Sequence, residues 1–222
     1  MTVGAQSGTL TYGTAGDATY TVTTTNILTG HIYTVSIAGL PTGASASDVD
    51  IELNGTIDSG TLTIHSNGST PAGTYSLTLT IDGVTSASFD FTIDQATITN
   101  AAVDVIAPSI GGIPDTNATP AAGSHFTAGA VSWSPADNPF KSTGQYTATV
   151  TLTVSNGNYT FTGLTNATIN GNTATVVNIS TTGDKATLSY KFPAPTMYYT
   201  TLSLSASPSD EQTYPGDVVL TA

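Results

Sequence analysis

The chain has 222 residues, room for one or two domains, and 38% of them are hydrophobic, enough for modest cores. Charged residues make up only 8%: three Lys, no Arg and 15 Asp or Glu give a net charge of −12. That balance excludes nucleic-acid binding, attraction to anionic membranes and Arg clamps on anionic substrates, and the lack of cysteine excludes disulfides, thiolate metal sites and cysteine nucleophiles.

No apolar run reaches transmembrane length, so no membrane insertion is expected in this segment. No signal peptide precedes Thr2-Val3-Gly4, and Met1 reads as the initiator of an expressed fragment whose sorting signals lie outside it. From the N-terminus onward the main signal is alternation with a period of two. Thr19-Tyr20-Thr21-Val22-Thr23 is the first such run, and Thr74 to Ile81 and Thr147 to Val154 repeat the pattern. Side chains alternate across a strand, so each run has one apolar face and one Thr-covered face. Thr favours the extended backbone and spends no charge on solvation. No helical stripe interrupts the pattern, and the fold class expected is all-β.

Turn signals punctuate the runs at the spacing of packed antiparallel sheets. They are Asp58-Ser59-Gly60, Asn67-Gly68-Ser69, Asp82-Gly83, Asn156-Gly157 and Asn170-Gly171. Thr80-Ile81-Asp82-Gly83-Val84-Thr85 reads as a tight hairpin, because Asp-Gly tolerates positive φ at both central positions. The runs divide into residues 1–94, ending in Ala87 to Ile93, and residues 95–195, ending in Phe192-Pro193-Ala194-Pro195. Within the second, a stretch rich in Pro, Gly, Asn and Asp between Pro108 and Pro120 reads as an exposed loop. Pro-Ala-Pro reads as a stiff linker. Residues 196–222 hold a linker and two further strand-like runs, from Thr200 and from Gln212, expected to open a truncated third module; two strands bury no core alone. Their open edges make residues 200–222 a candidate for self-association.

Val131-Ser132-Trp133-Ser134-Pro135-Ala136-Asp137-Asn138-Pro139-Phe140 is followed by Tyr146 to Thr153, then Tyr159-Thr160-Phe161-Thr162-Gly163-Leu164 and Ala167-Thr168-Ile169-Asn170-Gly171. Together they resemble a repeat of large cell-surface proteins from clostridia and related Firmicutes, most specifically over 95–195. The tail from Thr200 resembles the start of a bacterial immunoglobulin-like repeat. The resemblance implies tandem antiparallel immunoglobulin-like β-sandwiches at 1–94 and 95–195. It also implies a non-catalytic structural or adhesive role, a spacer or stalk on the surface of a Gram-positive bacterium. The alternative expectation is a carbohydrate-binding accessory module of a secreted polysaccharide-degrading enzyme, which leaves a protein or a glycan as partner.

His31, His65 and His125 lie in different segments without metal-ligand spacing, and no Gly-x-Ser-x-Gly elbow occurs, so no catalytic residue is assigned. Asp48, Asp50 and Glu52 alternate with Val49, Ile51 and Leu53 and form the densest acidic cluster; they are the Ca²⁺ candidates, although strand neighbours need further oxygens to cage an ion. Lys141, Lys185 and Lys191 are the only lysines available for a Lys–Asn cross-link, and Lys191, between Tyr190 and Phe192, is expected to face solvent. Val131 and Trp133 share a strand face, so Trp133 is expected as a core anchor rather than a sugar-stacking platform. Tyr198 and Tyr199 are expected in linker packing.

Overall fold

The computed structural model describes residues 1–25, 34–46, 50–52, 57–142 and 144–196, and these contain strands, turns and loops but no helix. In the first half the strands are β1 (Thr2–Val3), β2 (Leu10–Thr11), β3 (Ala15–Thr25), β4 (Val35–Ala38), β5 (Ala44–Ala46), β6 (Asp50–Glu52), β7 (Ile57–Asn67), β8 (Gly73–Ile81), β9 (Val84–Thr85) and β10 (Phe89–Asp94). The second half contains β11 (Ala96–Thr97), β12 (Asn100–Asp104), β13 (Thr119–Pro120), β14 (Phe126–Ser134), β15 (Thr147–Val154) and β16 (Tyr159–Thr160). It closes with β17 (Asn166–Ile169), β18 (Asn172–Thr173), β19 (Thr175–Ile179) and β20 (Lys185–Lys191).

The alternation expected from the sequence is what builds the sheets. β3 buries Ala18, Tyr20 and Val22, β7 buries Leu62 and Ile64, and the two strands pair antiparallel along their whole lengths. They form one sheet in the order β1-β3-β7-β5, with β6 also on β7. A second sheet runs β2-β10-β8-β4, and its Leu77, Leu79, Ile81, Phe89, Phe91 and Ile93 close the same core from the opposite side. Residues 98–192 build a separate core. Its sheets run β14-β15-β20-β19 and β13-β12-β17-β18, and β11 pairs with β16. Thr on the wet faces also ties neighbouring strands, through side-chain hydrogen bonds Thr80–Thr85 (2.9 Å), Thr74–Thr92 (3.2 Å) and Thr151–Thr187 (3.2 Å).

One short segment links the two sheets of the first core. β1 pairs antiparallel with β3, and a few residues later β2 pairs parallel with β10 on the other sheet. The crossing passes Gly8, at φ +94, where an added Cβ would lie 2.9 Å from the Asp17 carbonyl oxygen; only glycine fits both the backbone and the space. Just before it, the Gln6 side chain takes the place of a missing strand. Its oxygen accepts from the Thr92 amide (2.7 Å) and the Tyr20 hydroxyl (3.0 Å), and its NH₂ donates to the Thr92 carbonyl (3.0 Å). Burial, reinforced by the charge of Asp90, pushes the Tyr20 phenol up to about 12.

The Asp82-Gly83 hairpin joins β8 to β9 with φ of 45° and 79°, and Asn170-Gly171 joins β17 to β18 with 52° and 72°. Both are the positive-φ pairs that tight hairpins require. Asp58-Ser59-Gly60 is not a turn: it lies inside β7, where Thr24, Thr23 and Val22 of β3 pair with it in unbroken register. An unbroken ladder of partners outweighs a local turn preference of a few tenths to about 1 kcal/mol. The loop after Pro108 is more ordered than its composition implies. It ends in β13, and on the way the Asp115 and Thr116 carbonyls accept from Trp133 Nε1 (2.7 Å) and the Val131 amide (2.9 Å). Tyr198, Tyr199 and the strand-like runs of 200–222 lie outside the described residues.

The raised Tyr20 pKa makes stability pH-dependent with a definite sign. An acid raised in the fold contributes stability that is complete below the unfolded phenol's value of about 10 and is lost as pH rises through the folded value. Tyr20→Phe is expected to cost about 1 kcal/mol at neutral pH, by leaving the Gln6 and Asp90 acceptors short of a donor. In urea unfolding that cost should shrink as the pH climbs above 10 towards 12. A cost that does not change with pH would show that the Tyr20 phenol titrates normally.

Candidate functional site

The structural feature with most functional content is the joint between the two cores. β10 ends at Asp94 and β11 begins at Ala96, so Gln95 is the only residue between the last strand of one core and the first strand beside the other. So short a connection leaves no slack, and the chain on both sides is pinned. Tyr12 continues from β2 with its amide bonded to the Asp94 carbonyl (2.9 Å), and the Gly13 amide donates to the Gly68 carbonyl (2.9 Å). On the far side, the Ala96 amide donates to the Asn158 carbonyl (2.8 Å) and the Ile98 amide to the Thr160 carbonyl (2.8 Å). The Gln95 side chain also donates to the Gly157 carbonyl (2.8 Å).

Two contacts bridge the cores directly. The Ala72 amide, just before β8, donates to Asn158 Oδ1 (2.9 Å), while the backbone amide of Asn158 is held by Asn156 Oδ1 (2.9 Å). The rings of Tyr12 and Tyr159 meet edge to face with centroids 5.4 Å apart, a favoured aromatic geometry. The other face of the Tyr159 ring is covered by His125, stacked at 4.1 Å with the planes 8° apart. Burial raises the Tyr159 phenol above its usual range, and the neighbouring Tyr12 adds to the effect. Beside these rings runs a groove of about 480 Å³, whose walls include Thr14, Asn100, Ser124 and His125.

The joint offers hydroxyls, an amide and one imidazole, but no carboxylate among its lining residues and no nucleophile–base pair. Among the described residues, no three His, Cys, Asp or Glu side chains come together at one point. Of the Ca²⁺ candidates, Asp48 lies outside the described residues; Asp50 and Glu52 lie on β6, opposite Thr61 and Ser59 of β7, with only their backbone described. His31 is also outside the described residues. His65 faces Asp17 across β3 and β7 in an exposed pair at 2.7 Å. Lys141, Lys185 and Lys191 are all exposed, so none has the buried position a Lys–Asn cross-link needs. Lys141 instead donates to Asp137 (2.6 Å), whose other oxygen accepts from the buried Tyr146 hydroxyl (2.9 Å). The Lys141 bond, followed by the Tyr146 bond, holds the Asp137 carboxyl below the usual carboxylate range.

Trp133 packs against the second core as its strand face implied. It meets Phe140 at 5.1 Å and Phe192 at 5.7 Å, with its ring nitrogen bonded to Asp115. The joint itself was not legible in the sequence. Tyr12, Asn158 and Tyr159 match no motif, and nothing local in their segments pairs them; only the short spacing between Ile93 and Ala96 hints at a tight junction.

Against known proteins, the chain matches no family model, no curated protein and no solved structure.

A double-mutant cycle on Tyr12→Ala and Tyr159→Ala, read by urea unfolding, is expected to give a coupling of about 0.5–1.5 kcal/mol, the value of an aromatic pair beyond its buried area. Strict additivity would mean that the two rings do not hold the joint together in solution.

Proposed function

We propose that this chain is a non-catalytic, extracellular part of a multidomain bacterial surface protein. In this reading, immunoglobulin-like sandwiches at 1–94 and 95–195 serve as a spacer or adhesive stalk, and 196–222 opens a further module. The observation that carries it is the joint: two separate cores connected through Gln95 alone and bridged by the Tyr12–Tyr159 and Ala72–Asn158 contacts. A spacer needs this property, since a slack linker would let successive modules fold back on one another. The strand that changes sheets near Gly8, the antiparallel β3–β7 pairing and the sheet-on-sheet core support the immunoglobulin-like reading.

Composition supports the setting. Thr-covered wet faces with few charges of a single sign suit a protein exposed to bulk solvent, and the cell surface of a Gram-positive bacterium is the proposed location. The carbohydrate-binding alternative needs flat aromatic rings presented together to solvent. Tyr12 and Tyr159 instead meet at 84°, the second face of Tyr159 is covered by His125, and Trp133 packs into the second core. These arrangements favour the spacer over the glycan binder.

The test has two arms. Antibodies raised against residues 1–196 are expected to label intact, unpermeabilised source cells, and electrophoresis of the chain through gels containing plant or bacterial polysaccharides is expected to show unchanged mobility. Labelling only after permeabilisation would contradict the surface location. Retardation by a polysaccharide that is abolished in Trp133→Ala or Tyr12→Ala would replace the spacer reading with the carbohydrate-binding one.

A further inference from the structure

The pole of the second β-unit where the described chain ends departs from the rule that governs the rest of the surface. Elsewhere the wet faces carry Thr, Ser and Asn. Among the described residues five large hydrophobic side chains are exposed, and three of them, Ile106 (67%), Ile110 (37%) and Ile113 (78%), sit on the single loop between β12 and β13. Solitary exposed apolar residues are ordinary, but three within eight positions of a charge-poor chain make a patch. Beside that loop a groove of about 570 Å³ runs between Ala107–Ile110 on one side and Phe192–Thr196 on the other.

The loop is braced rather than slack. The Gly111 amide donates to the Phe140 carbonyl and the Phe140 amide to the Gly112 carbonyl, both at 2.9 Å. Phe140 is itself buried and packs edge to face on Trp133 (5.1 Å) and Tyr146 (4.6 Å). Trp133 in turn meets Phe192, which lines the groove. A loop held in place while it shows isoleucine to water is preorganised for an apolar occupant.

We propose that this groove is the docking seat for the chain's own segment 197–222, and so forms a second joint. One wall of the groove is the outgoing chain itself, so residue 197 starts within it and the segment's effective concentration there is high. The segment supplies the required chemistry: Tyr198 and Tyr199, Leu202 and Leu204 two apart on one face if extended, and Val218-Val219-Leu220. A second copy of the chain fits less well, because two molecules of net charge −12 repel on approach. The first joint uses the same device, since the residues directly after β10 pair at once with β16 of the next unit.

Because the chain lacks cysteine, disulfide trapping in the full-length protein tests this cleanly. Ile113→Cys is paired in turn with Leu202→Cys, Leu204→Cys and Val219→Cys, and each double variant is oxidised in dilute solution. The exposed Val84→Cys, on the first unit, is paired with the same three positions as a reference. The expected result is an intrachain disulfide in at least one Ile113→Cys pair, in a yield independent of protein concentration, with none in the reference pairs. Cross-linked dimers whose yield grows with concentration would assign the seat to a second copy and overturn the proposal. No disulfide in any pair, or equal trapping at Val84→Cys, would overturn it as well. Trp133, the only tryptophan, gives a readout without cysteines: Leu202→Asp combined with Leu204→Asp is expected to shift its emission to the red, and an unchanged spectrum counts against docking.

Discussion

The structure depends on one constraint: each long strand must keep its two faces chemically distinct with almost no charge to help. Lys, Asp and Glu are scarce, so the difference between faces is carried by Leu, Ile, Val, Phe and Tyr against Thr. A slip of one residue in the register of β3 on β7 would turn Ala18, Tyr20 and Val22 out to water and bring Thr19 and Thr21 into the core. That penalty specifies the register, and the register sets where β2 and β10 end. The ends of those strands place Tyr12 and Gln95 and therefore the joint. A preference acting at the level of single residues thus reaches the geometry between the two cores.

The two cores also solve the problem of their open ends differently. In the first, a side chain stands in for missing backbone. Gln6 bonds the amide and carbonyl of Thr92, and its partner Tyr20 reaches Asp90, so the N-terminal segment is clasped to both sheets. In the second, aromatic rings do the equivalent work. Phe140, Tyr146, Trp133, Phe192 and Tyr190 form a chain of edge-to-face and tilted contacts at the pole where the described chain ends. The buried Tyr146 hydroxyl is satisfied by Asp137 and by the Lys141 amide (2.7 Å), which fixes the loop above it. Each solution removes unpaired polar groups from a place where water is excluded, the general condition for ending a sheet inside a protein.

Much of the fold could be read from the residues, because strand signals are local. Thr74 to Ile81 and Thr147 to Val154 lie in β8 and β15, and Asp82-Gly83 and Asn170-Gly171 form their hairpins. Asp58-Ser59-Gly60 misled because turn propensity is also local, whereas the pairing that overrides it comes from β3, distant in sequence. The joint was illegible for the same reason in a stronger form. Tyr12, Ala72, His125, Asn158 and Tyr159 come from five segments, and each is unremarkable in its own surroundings. Period-two patterning says which way a residue faces; it carries no information about which residue of another segment it will meet.

The central claim is that the two cores move as one body because the joint at Gln95 is pinned on both sides. The most direct measurement is ¹⁵N relaxation of backbone amides throughout the full chain. A pinned joint predicts that the amides of β3, β7 and β8 and those of β14, β15 and β20 fit one common rotational diffusion tensor. Two independent tensors, each with the shorter correlation time of a half-sized body, would contradict it.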